Sequence, residues 1–353
     1  MTSDAPTPAS GARVSPEPLM QMIQGLHVTG IVKAGVELGV FGQISDGNRQ
    51  ADSIASALGT DPRGTRILLD ALAALGLLER RDGYHLTPLS GSYLVPGQQT
   101  YLGDMVKILA GPWAWTGFPR LAEAVRRGST LTDQPWETPG HEFWETFSPS
   151  SVGAISGPGS QALAEVIEPW ANERDSLDIL DVACGSGLFS LTQAARHPNA
   201  HVTLLDSPEV LSLTKDTIER MDLGERTGFI AGDAFEVPLG GPYDQIVVSH
   251  LFHHFSEERT LTLLSRLATA LKPDGRLVIH EFISGGAPTE TPFPYLFSVI
   301  MLTSTAEGEA YSLDTYERLL REAGFTSPEV YPSQGLPSHF LISGKAAADP
   351  LPE

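Results

Sequence analysis

The sequence predicts an α/β fold in which a mostly helical N-terminal domain precedes a domain built on a parallel sheet. Two observations lead to this prediction. After about residue 170, short apolar runs alternate with helical patterns, which is typical of a parallel sheet covered by helices on both faces. Before about residue 95, three helical patterns are followed by a single hairpin signal, which indicates a separate and mainly helical unit.

Length and charge limit the possible functions. The 353 residues suffice for two domains. The formal net charge of −20 argues against nucleic acid or an acidic membrane surface as a partner, because both attract basic proteins. Cys184 is the only cysteine, which favours a reducing, cytoplasmic setting. No apolar run is long enough to span a membrane, and residues 1–18 and 346–353 read as disordered tails.

Residues 19–95 have the order of a winged helix. A long apolar helical pattern is expected to stop near Gly39, two further helices follow, and Asp82-Gly83 predicts the turn of a hairpin. A winged helix raises the possibility of DNA binding. Between Asp46 and Val95, however, the sequence contains five basic and six acidic residues, so it lacks the basic excess that phosphate contacts require. We therefore expect this domain to bind protein, most simply as a dimerisation domain.

Residues 96–170 read as a helical linker broken by Pro and Gly. The segment carries many aromatic residues, which either line a substrate pocket or pack between domains. They are Trp113, Trp115, Phe118, Trp136, Phe143, Trp144 and Phe147. Phe293, Tyr295, Phe297 and Met301, further along the chain, have the same two interpretations.

Residues 171–345 hold five predicted strands, and the first three end in groups suited to a nucleoside. The loop DVACGSG, residues 181–187, follows the first strand, and its glycines allow a tight turn beside a ligand. Asp206 ends the second strand, where a carboxylate can bind both ribose hydroxyls, and Asp233 follows the third. Each Asp has an alternative role as a strand-end cap. Ser190 replaces the third glycine of a dinucleotide loop, so the acidic site favours a cationic adenosyl ligand, S-adenosylmethionine (SAM).

With these motifs the chain resembles the small-molecule O-methyltransferases, in which a winged-helix dimerisation domain precedes a Rossmann-like class I methyltransferase domain. The stretches that carry the resemblance are LDVACGSGLFS, VTLLD, AGDAF, HHFSEE, GRLVIHEF and YERLLREAGF, and it covers about residues 19–345. It implies a homodimer that uses SAM. The implied cofactor-binding residues are Asp181, Gly185, Gly187, Asp206, Asp233, Ala234, Phe235 and Ser249.

The stretch HLFHHFSEE, residues 250–258, places three histidines after the fourth strand. The resemblance makes His253 the general base and Glu281, at the end of the fifth strand, its supporting carboxylate. A neutral imidazole can take the proton of a phenol while a carboxylate on its far nitrogen fixes the tautomer. Glu309 is the nearest candidate for a second supporting carboxylate, although Ala310 holds the matching position.

The same histidines allow a metal site. His250, His253 and His254 have i, i+3, i+4 spacing, and His280, Glu281 and His339 are further donors. A divalent metal would serve C-methylation of a 2-oxo acid by stabilising its enolate. Against convergence on an ion, Ser256 is expected to begin a helix after the histidines rather than beneath them. A third possibility is an enzyme of this fold that binds SAM without transferring its methyl group. O-methylation of a phenolic hydroxyl on a small molecule is the expectation these residues favour first.

Overall fold

The computed structural model describes residues 14–98, 100–146 and 149–346, without the side chains of 149–155. The chain forms two compact units, Met1–Ala110 and Gly111–Glu353. The first helix begins at Glu17, so the end of the expected 1–18 tail is helical instead: its polar start leads directly into the apolar stretch EPLMQMI. Most of that tail, and residues 347–353 of the other, lie outside the described residues.

The first unit contains helices followed by a hairpin and two further helices. Its elements are α1 (Glu17–Ile23), α2 (Gly25–Glu37), α3 (Val40–Ser45), α4 (Ala51–Leu58), α5 (Pro62–Ala74), β1 (Leu78–Arg80), β2 (Tyr84–Leu86), α6 (Pro88–Tyr93) and α7 (Gly103–Leu109). Gly39 has φ of 77° between α2 and α3, which confirms the predicted stop. The hairpin is confirmed as well, since Leu78 pairs with Leu86 across the Asp82-Gly83 turn.

Buried apolar side chains hold the first unit together. Val40, Phe41, Ile44, Ile54 and Leu72 are at most 1% exposed and belong to one cluster that includes Leu78 of the hairpin. α5 starts cleanly because the Asp61 carboxylate accepts the Gly64 N–H at 2.8 Å, and Pro62 occupies the first helical position. In contrast, α1 buries none of its residues within the chain.

The second unit begins with short helices and continues with alternating strands and helices. Its elements are α8 (Pro112–Gly117), α9 (Leu121–Arg127), α10 (Pro149–Ala171), β3 (Leu177–Val182), α11 (Leu188–Arg196), β4 (Ala200–Asp206), α12 (Pro208–Met221), β5 (Thr227–Ala231), β6 (Tyr243–Ser249), α13 (Glu257–Ala270), β7 (Leu271–Glu281), α14 (Pro292–Ser304), α15 (Leu313–Glu322), β8 (Glu329–Pro332) and β9 (His339–Gly344).

One sheet of seven strands organises this unit, in the order β5-β4-β3-β6-β7-β9-β8. The five predicted strands are parallel, and β9 joins β7 antiparallel, as does β8 with β9. Strands β3 and β6 are buried along nearly all of their length because helices cover both faces of the sheet.

The strand order places the candidate site. β3 pairs with β4 on one side and β6 on the other, so the connections from β3 and from β5 leave toward opposite halves of the sheet. In open parallel sheets such a reversal forms a crevice at the carboxyl ends of the strands. The glycine loop and the histidines both lie at this edge. Within the described part of the chain, no helix is both long and apolar enough to cross a bilayer.

Candidate active site

The glycine loop turns sharply between β3 and α11. Ala183, Gly185 and Gly187 have φ of 53°, 54° and 68°, a region in which glycine is free of strain. A Cβ atom added to Gly187 would lie 3.0 Å from Leu191 Cδ1, whereas one added to Gly185 would meet no protein atom within 4 Å. The lack of a side chain at Gly187 therefore allows α11 to pack closely, and Gly185 leaves open space that a ligand can use.

Asp206 joins the end of β4 to this loop. One carboxylate oxygen, Oδ2, accepts the Gly185 N–H at 2.9 Å, and Oδ1 accepts the Ser207 N–H at 2.8 Å. Burial raises the pKa of Asp206, while these backbone bonds oppose the shift. Each oxygen keeps further capacity to accept hydrogen bonds from a ligand hydroxyl.

Asp181 lies beneath the loop. It is 1% exposed, its Oδ2 accepts Ser190 Oγ–H at 2.6 Å, and burial raises its pKa to about 7. Ser190, where a dinucleotide loop would have glycine, thus fixes the first turn of α11 to the end of β3. This pairing is not visible in the sequence, because Asp181 and Ser190 lie nine positions apart without a recognisable motif. A direct contact between Asp181 and a cofactor stays a prediction.

Asp233 and Phe235 follow β5. Asp233 Oδ1 accepts the Phe235 N–H at 2.8 Å, which fixes the aromatic ring beside the carboxylate. Phe255 packs against the ring edge-on at 5.0 Å between centroids, and the Arg259 guanidinium carbon lies 4.6 Å from the ring centroid. The preceding Ala234 is buried, and its carbonyl accepts Arg266 Nε–H at 3.1 Å. Neither Phe255 nor Arg259 was expected to support this part of the site.

Ser249 ends β6 and belongs to a short polar chain. Its hydroxyl lies 3.0 Å from His280 Nδ1, and His280 Nε2 lies 2.7 Å from Ser338 Oγ. His280 is 1% exposed, so both of its ring nitrogens are satisfied within the protein. His280 is therefore a structural histidine that orients Ser249. His339, which pairs with Glu281 across β7 and β9, is half-buried.

These groups fit SAM. Open space beside Gly185, two strand-end carboxylates and a supported aromatic ring stand at the carboxyl ends of adjacent parallel strands, as an adenosyl ligand requires. Acidic residues at the site also suit a sulfonium cation.

The histidines lie in the connection between β6 and α13. His250 has φ of 53°, residues Phe252–His254 form one 3₁₀ turn, and α13 begins at Glu257. Ser256 is the N-cap residue, as predicted, although its side chain makes no capping hydrogen bond. The histidines thus precede the helix, so i, i+4 spacing on a helix does not bring them together.

His253 and Glu281 form a buried pair. The two residues are 3% and 0% exposed, and His253 Nδ1 donates to Glu281 Oε2 at 2.6 Å. The second oxygen of Glu281 accepts the Phe252 N–H at 2.9 Å. Burial lowers the pKa of His253 and raises the pKa of Glu281. The imidazole is neutral, its Nδ1 carries the proton, and Nε2 is the nitrogen with a lone pair to accept another.

The structure corrects the proposed ligand set of three histidines. His254 Nδ1 lies 3.0 Å from the Leu251 carbonyl oxygen, so this ring nitrogen already has a partner in the backbone. In the described part of the chain, the donor atoms that lie within 4.8 Å of one another belong to His250, His253 and Glu281 instead. Their shortest separation, 2.6 Å, is the length of a charge-assisted hydrogen bond.

Glu309 does not join the pair. It is exposed, and none of the hydrogen bonds of the described residues links its side chain to His253. Ala310, at the matching position, is buried. The residue before Glu309, Gly308, packs closely on the histidine segment: a Cβ atom there would lie 2.3 Å from the His253 carbonyl oxygen. The role of Glu309 as a second supporting carboxylate therefore stays a prediction that none of these contacts supports, because its segment approaches His253 through the backbone of Gly308.

Aromatic rings surround the His253 side chain. Phe297 meets the imidazole edge-on at 4.8 Å, Phe282 lies 6.0 Å away, and Phe282 also contacts Phe293. From the linker, Trp144 lies 5.0 Å from the His254 ring. These contacts place part of the predicted aromatic set beside His253. Phe147 lies outside the described residues.

Two family models match the chain. Residues 20–96 match an O-methyltransferase dimerisation domain, and residues 165–326 match an O-methyltransferase domain. Among characterised relatives, the 3-hydroxy-5-methyl-1-naphthoate 3-O-methyltransferase of Streptomyces sahachiroi is 30% identical, over 88% of this chain and 89% of its own length. The 3-amino-4-hydroxybenzoate 4-O-methyltransferase of Streptomyces cremeus is 28% identical, over 87% of this chain and 84% of its own length.

Solved structures agree in fold. A candidate O-methyltransferase from Nostoc punctiforme superimposes with a TM-score of 0.87 at 30% identity, covering 94% of this chain and 100% of the other. The human N-acetylserotonin methyltransferase, solved in complex with SAM, gives a TM-score of 0.81 at 22% identity, covering 96% of this chain and 100% of the other.

Proposed function

The chain belongs to the SAM-dependent small-molecule O-methyltransferases, and on this premise we propose that it methylates a phenolic hydroxyl with His253 as the general base. The enzyme transfers a methyl group from SAM to a hydroxyl group of a small molecule. The relatives from Streptomyces sahachiroi and Streptomyces cremeus act, by name, on a hydroxynaphthoate and a hydroxybenzoate. Aromatic rings beside His253 support an acceptor of the same general kind.

The observation that carries the mechanism is the 2.6 Å hydrogen bond between His253 Nδ1 and Glu281 Oε2. It holds the imidazole as the tautomer whose Nε2 accepts a proton, and the carboxylate stabilises the imidazolium that results. Glu281 is itself fixed by the Phe252 N–H, so both partners are oriented before a substrate binds. Glu281 is thus a positioning residue and His253 the catalytic one.

Bound SAM supplies an electrophilic methyl group on its sulfonium. Asp206 is proposed to hold the ribose hydroxyls, Asp233 with Ala234 and Phe235 the adenine, and Gly185 with Gly187 the methionine end. Asp181 supports this loop from below, and Ser249 faces the same edge of the sheet. The aromatic wall around His253 excludes water while the acceptor hydroxyl is held in line with the methyl group.

We also propose a homodimer that works in the cytoplasm. The matched dimerisation domain spans residues 20–96, and helix α1 buries none of its residues within the chain. Exposed apolar side chains cluster along α1 and the start of α2: Leu19, Met20, Met22, Ile23, Leu26 and Val28. Such a surface is typical of a subunit interface. The single cysteine fits a reducing compartment.

The test uses SAM labelled in its methyl group with a panel of phenols and naphthols. Mass spectrometry of the products identifies the methylated atom, and release of S-adenosylhomocysteine (SAH) measures turnover. We expect O-methyl ethers from the wild type and a loss of about 10³-fold in kcat for His253→Asn, with unchanged SAM binding. Methylation at carbon, or full activity of His253→Asn, would contradict the mechanism.

A further inference from the structure

The part of the second unit that surrounds His253 contains no lysine or arginine in its sequence. The rings nearest the imidazole, Phe282 and Phe297, lie in the stretch 277–317, and Trp144 lies in the stretch 128–173. Neither stretch contains a lysine or an arginine, and neither does 111–119. An acceptor bound here finds no cationic side chain on these segments.

Three arginines near these segments interact with other groups. Arg259 lies over the Phe235 ring, and Arg318 pairs with Glu257 and Glu322 on the helical surface. Arg120 pairs with exposed Glu123. These three guanidinium groups therefore already have partners of their own.

The histidines do not supply the missing charge. Burial lowers the pKa of His250 to about 4 and that of His254 to about 3, so both rings are neutral at physiological pH. The charged groups that remain beside His253 are carboxylates, with Glu281 the closest at 2.6 Å.

Glu137 adds an unpaired acceptor to the same region. Its Oε1 accepts the Ala306 N–H at 2.8 Å, whereas Oε2 is buried and has no hydrogen-bond partner among the described residues. Ala306 lies two residues before Gly308, which packs on the His253 backbone. On its other side, Glu137 follows Trp136, whose carbonyl accepts the indole N–H of Trp144, the ring that contacts His254. Most buried polar atoms in folded proteins have a hydrogen-bond partner, so a carboxylate oxygen without one is available to an N–H group of a bound molecule.

We propose that the acceptor is a hydroxylated aromatic molecule without an anionic group, and that Glu137 binds an ammonium or other N–H group on it. This inference rests on O-methylation at His253. It separates this enzyme from its naphthoate and benzoate relatives, whose acceptors by name carry a carboxylate. A carboxylate bound beside Glu281 and Glu137 would be desolvated without a cationic side chain on these segments, which opposes its binding; in the SAH-bound enzyme no sulfonium is present either.

The experiment compares acceptors matched in shape and different in charge. One set is 4-ethylphenol, 4-(2-aminoethyl)phenol and 4-hydroxyphenylacetate, and the other is 2-naphthol, 6-(aminomethyl)-2-naphthol and 6-hydroxy-2-naphthoate. Calorimetry measures their binding to the SAH-bound dimer, and labelled SAM measures methyl transfer. We expect each carboxylate to bind at least about tenfold more weakly than its neutral counterpart, since an unpaired buried charge costs well over 1.4 kcal/mol. The amines should bind most tightly.

Two variants test the role of Glu137. Glu137→Gln keeps an oxygen for the Ala306 N–H and removes the charge, so it should abolish the advantage of the amines over the neutral phenols. Glu142→Gln, an exposed carboxylate on the same segment, is the matched control and should change neither. An unaltered amine preference in Glu137→Gln would overturn this role.

The remaining outcomes are also decisive. Carboxylates that bind as well as the neutral members, or a panel in which no neutral or amine-bearing member binds the SAH complex, would overturn the inference. Binding in the expected order without any O-methylated product would instead reject the proposed function and leave the charge selection standing.

Discussion

Replacing Glu281 by glutamine tests the core of the proposed mechanism. The carboxylate accepts two N–H groups, His253 Nδ1–H at 2.6 Å and Phe252 N–H at 2.9 Å. Glutamine has one acceptor oxygen, so its amide N–H₂ must face one of these two donors. If the amide faces His253, it forces the other tautomer and Nε2 can no longer accept a proton. If it faces the backbone, a buried donor loses its partner.

The magnitude follows from the charge that Glu281 provides. Two opposite unit charges about 4 Å apart attract by about 4 kcal/mol at an effective dielectric constant of about 20. That attraction exists in the transition state, where His253 gains a proton, and is absent from the neutral ground state. Because 1.36 kcal/mol corresponds to a tenfold change in rate, we expect kcat to fall by about 10³.

The assay is SAH release under saturating SAM, with the dissociation constant of SAH measured in parallel by calorimetry. We expect SAH binding within about twofold of the wild type, because Glu281 interacts with His253 and the backbone rather than with the glycine loop. Glu290→Gln, an exposed carboxylate in the loop after β7, is the matched control and should be fully active.

A double variant separates positioning from general damage. His253→Ala combined with Glu281→Gln should be no slower than His253→Ala alone, because a carboxylate that acts through the imidazole has no role once the imidazole is gone. A loss below about tenfold in Glu281→Gln, or additive losses in the double variant, would refute the assignment of the pair.

Four further outcomes are expected. Because burial lowers the pKa of His253, the base stays unprotonated below pH 6.5, and the acidic limb of the kcat/KM profile should lie below that value; a limb at or above it would contradict a neutral buried base. Dialysis against a chelator should leave activity unchanged, because His253 Nδ1 and Glu281 Oε2, 2.6 Å apart, are joined by a hydrogen bond rather than by a metal ion. A loss of activity that zinc or iron restores would contradict this. Met22→Glu with Ile23→Glu should yield monomers by light scattering. Gly308→Ala should lower kcat at least about tenfold by displacing the His253 backbone, while Gly224→Ala, where a Cβ atom meets nothing within 4 Å, should be silent.

Local patterns predicted the sheet and its ligand-binding edge. Apolar runs bounded by Gly and Asp determine where β3, β4 and β5 end, and parallel pairing then brings those ends together without further information. The turn at Asp82-Gly83 and the stop at Gly39 were predictable for the same reason, since each depends on residues within a few positions. The family resemblance added His253 and Glu281 as a pair.

Two predictions about site residues find no support in the geometry, because spacing along the chain does not determine where a side chain points. His254 has the spacing of a metal ligand, but φ of 53° at His250 and the 3₁₀ turn that follows rotate its ring toward the Leu251 carbonyl. Glu309 is near the matching position in sequence, yet Gly308 presents backbone to His253. Spacing along the chain fixes which residues are close and leaves their directions to the backbone conformation.

The charge around His253 is visible partly in the sequence and partly only in the structure. The absence of lysine and arginine from residues 277–317 is visible in the sequence, but it acquires meaning only when Phe282 and Phe297 prove to surround the His253 imidazole. The unpaired Oε2 of Glu137 is invisible in the sequence, because its significance depends on the Ala306 N–H that fixes the other oxygen. A sequence can therefore indicate which charged side chains a site lacks, whereas the structure is needed to identify the side chain that binds the substrate.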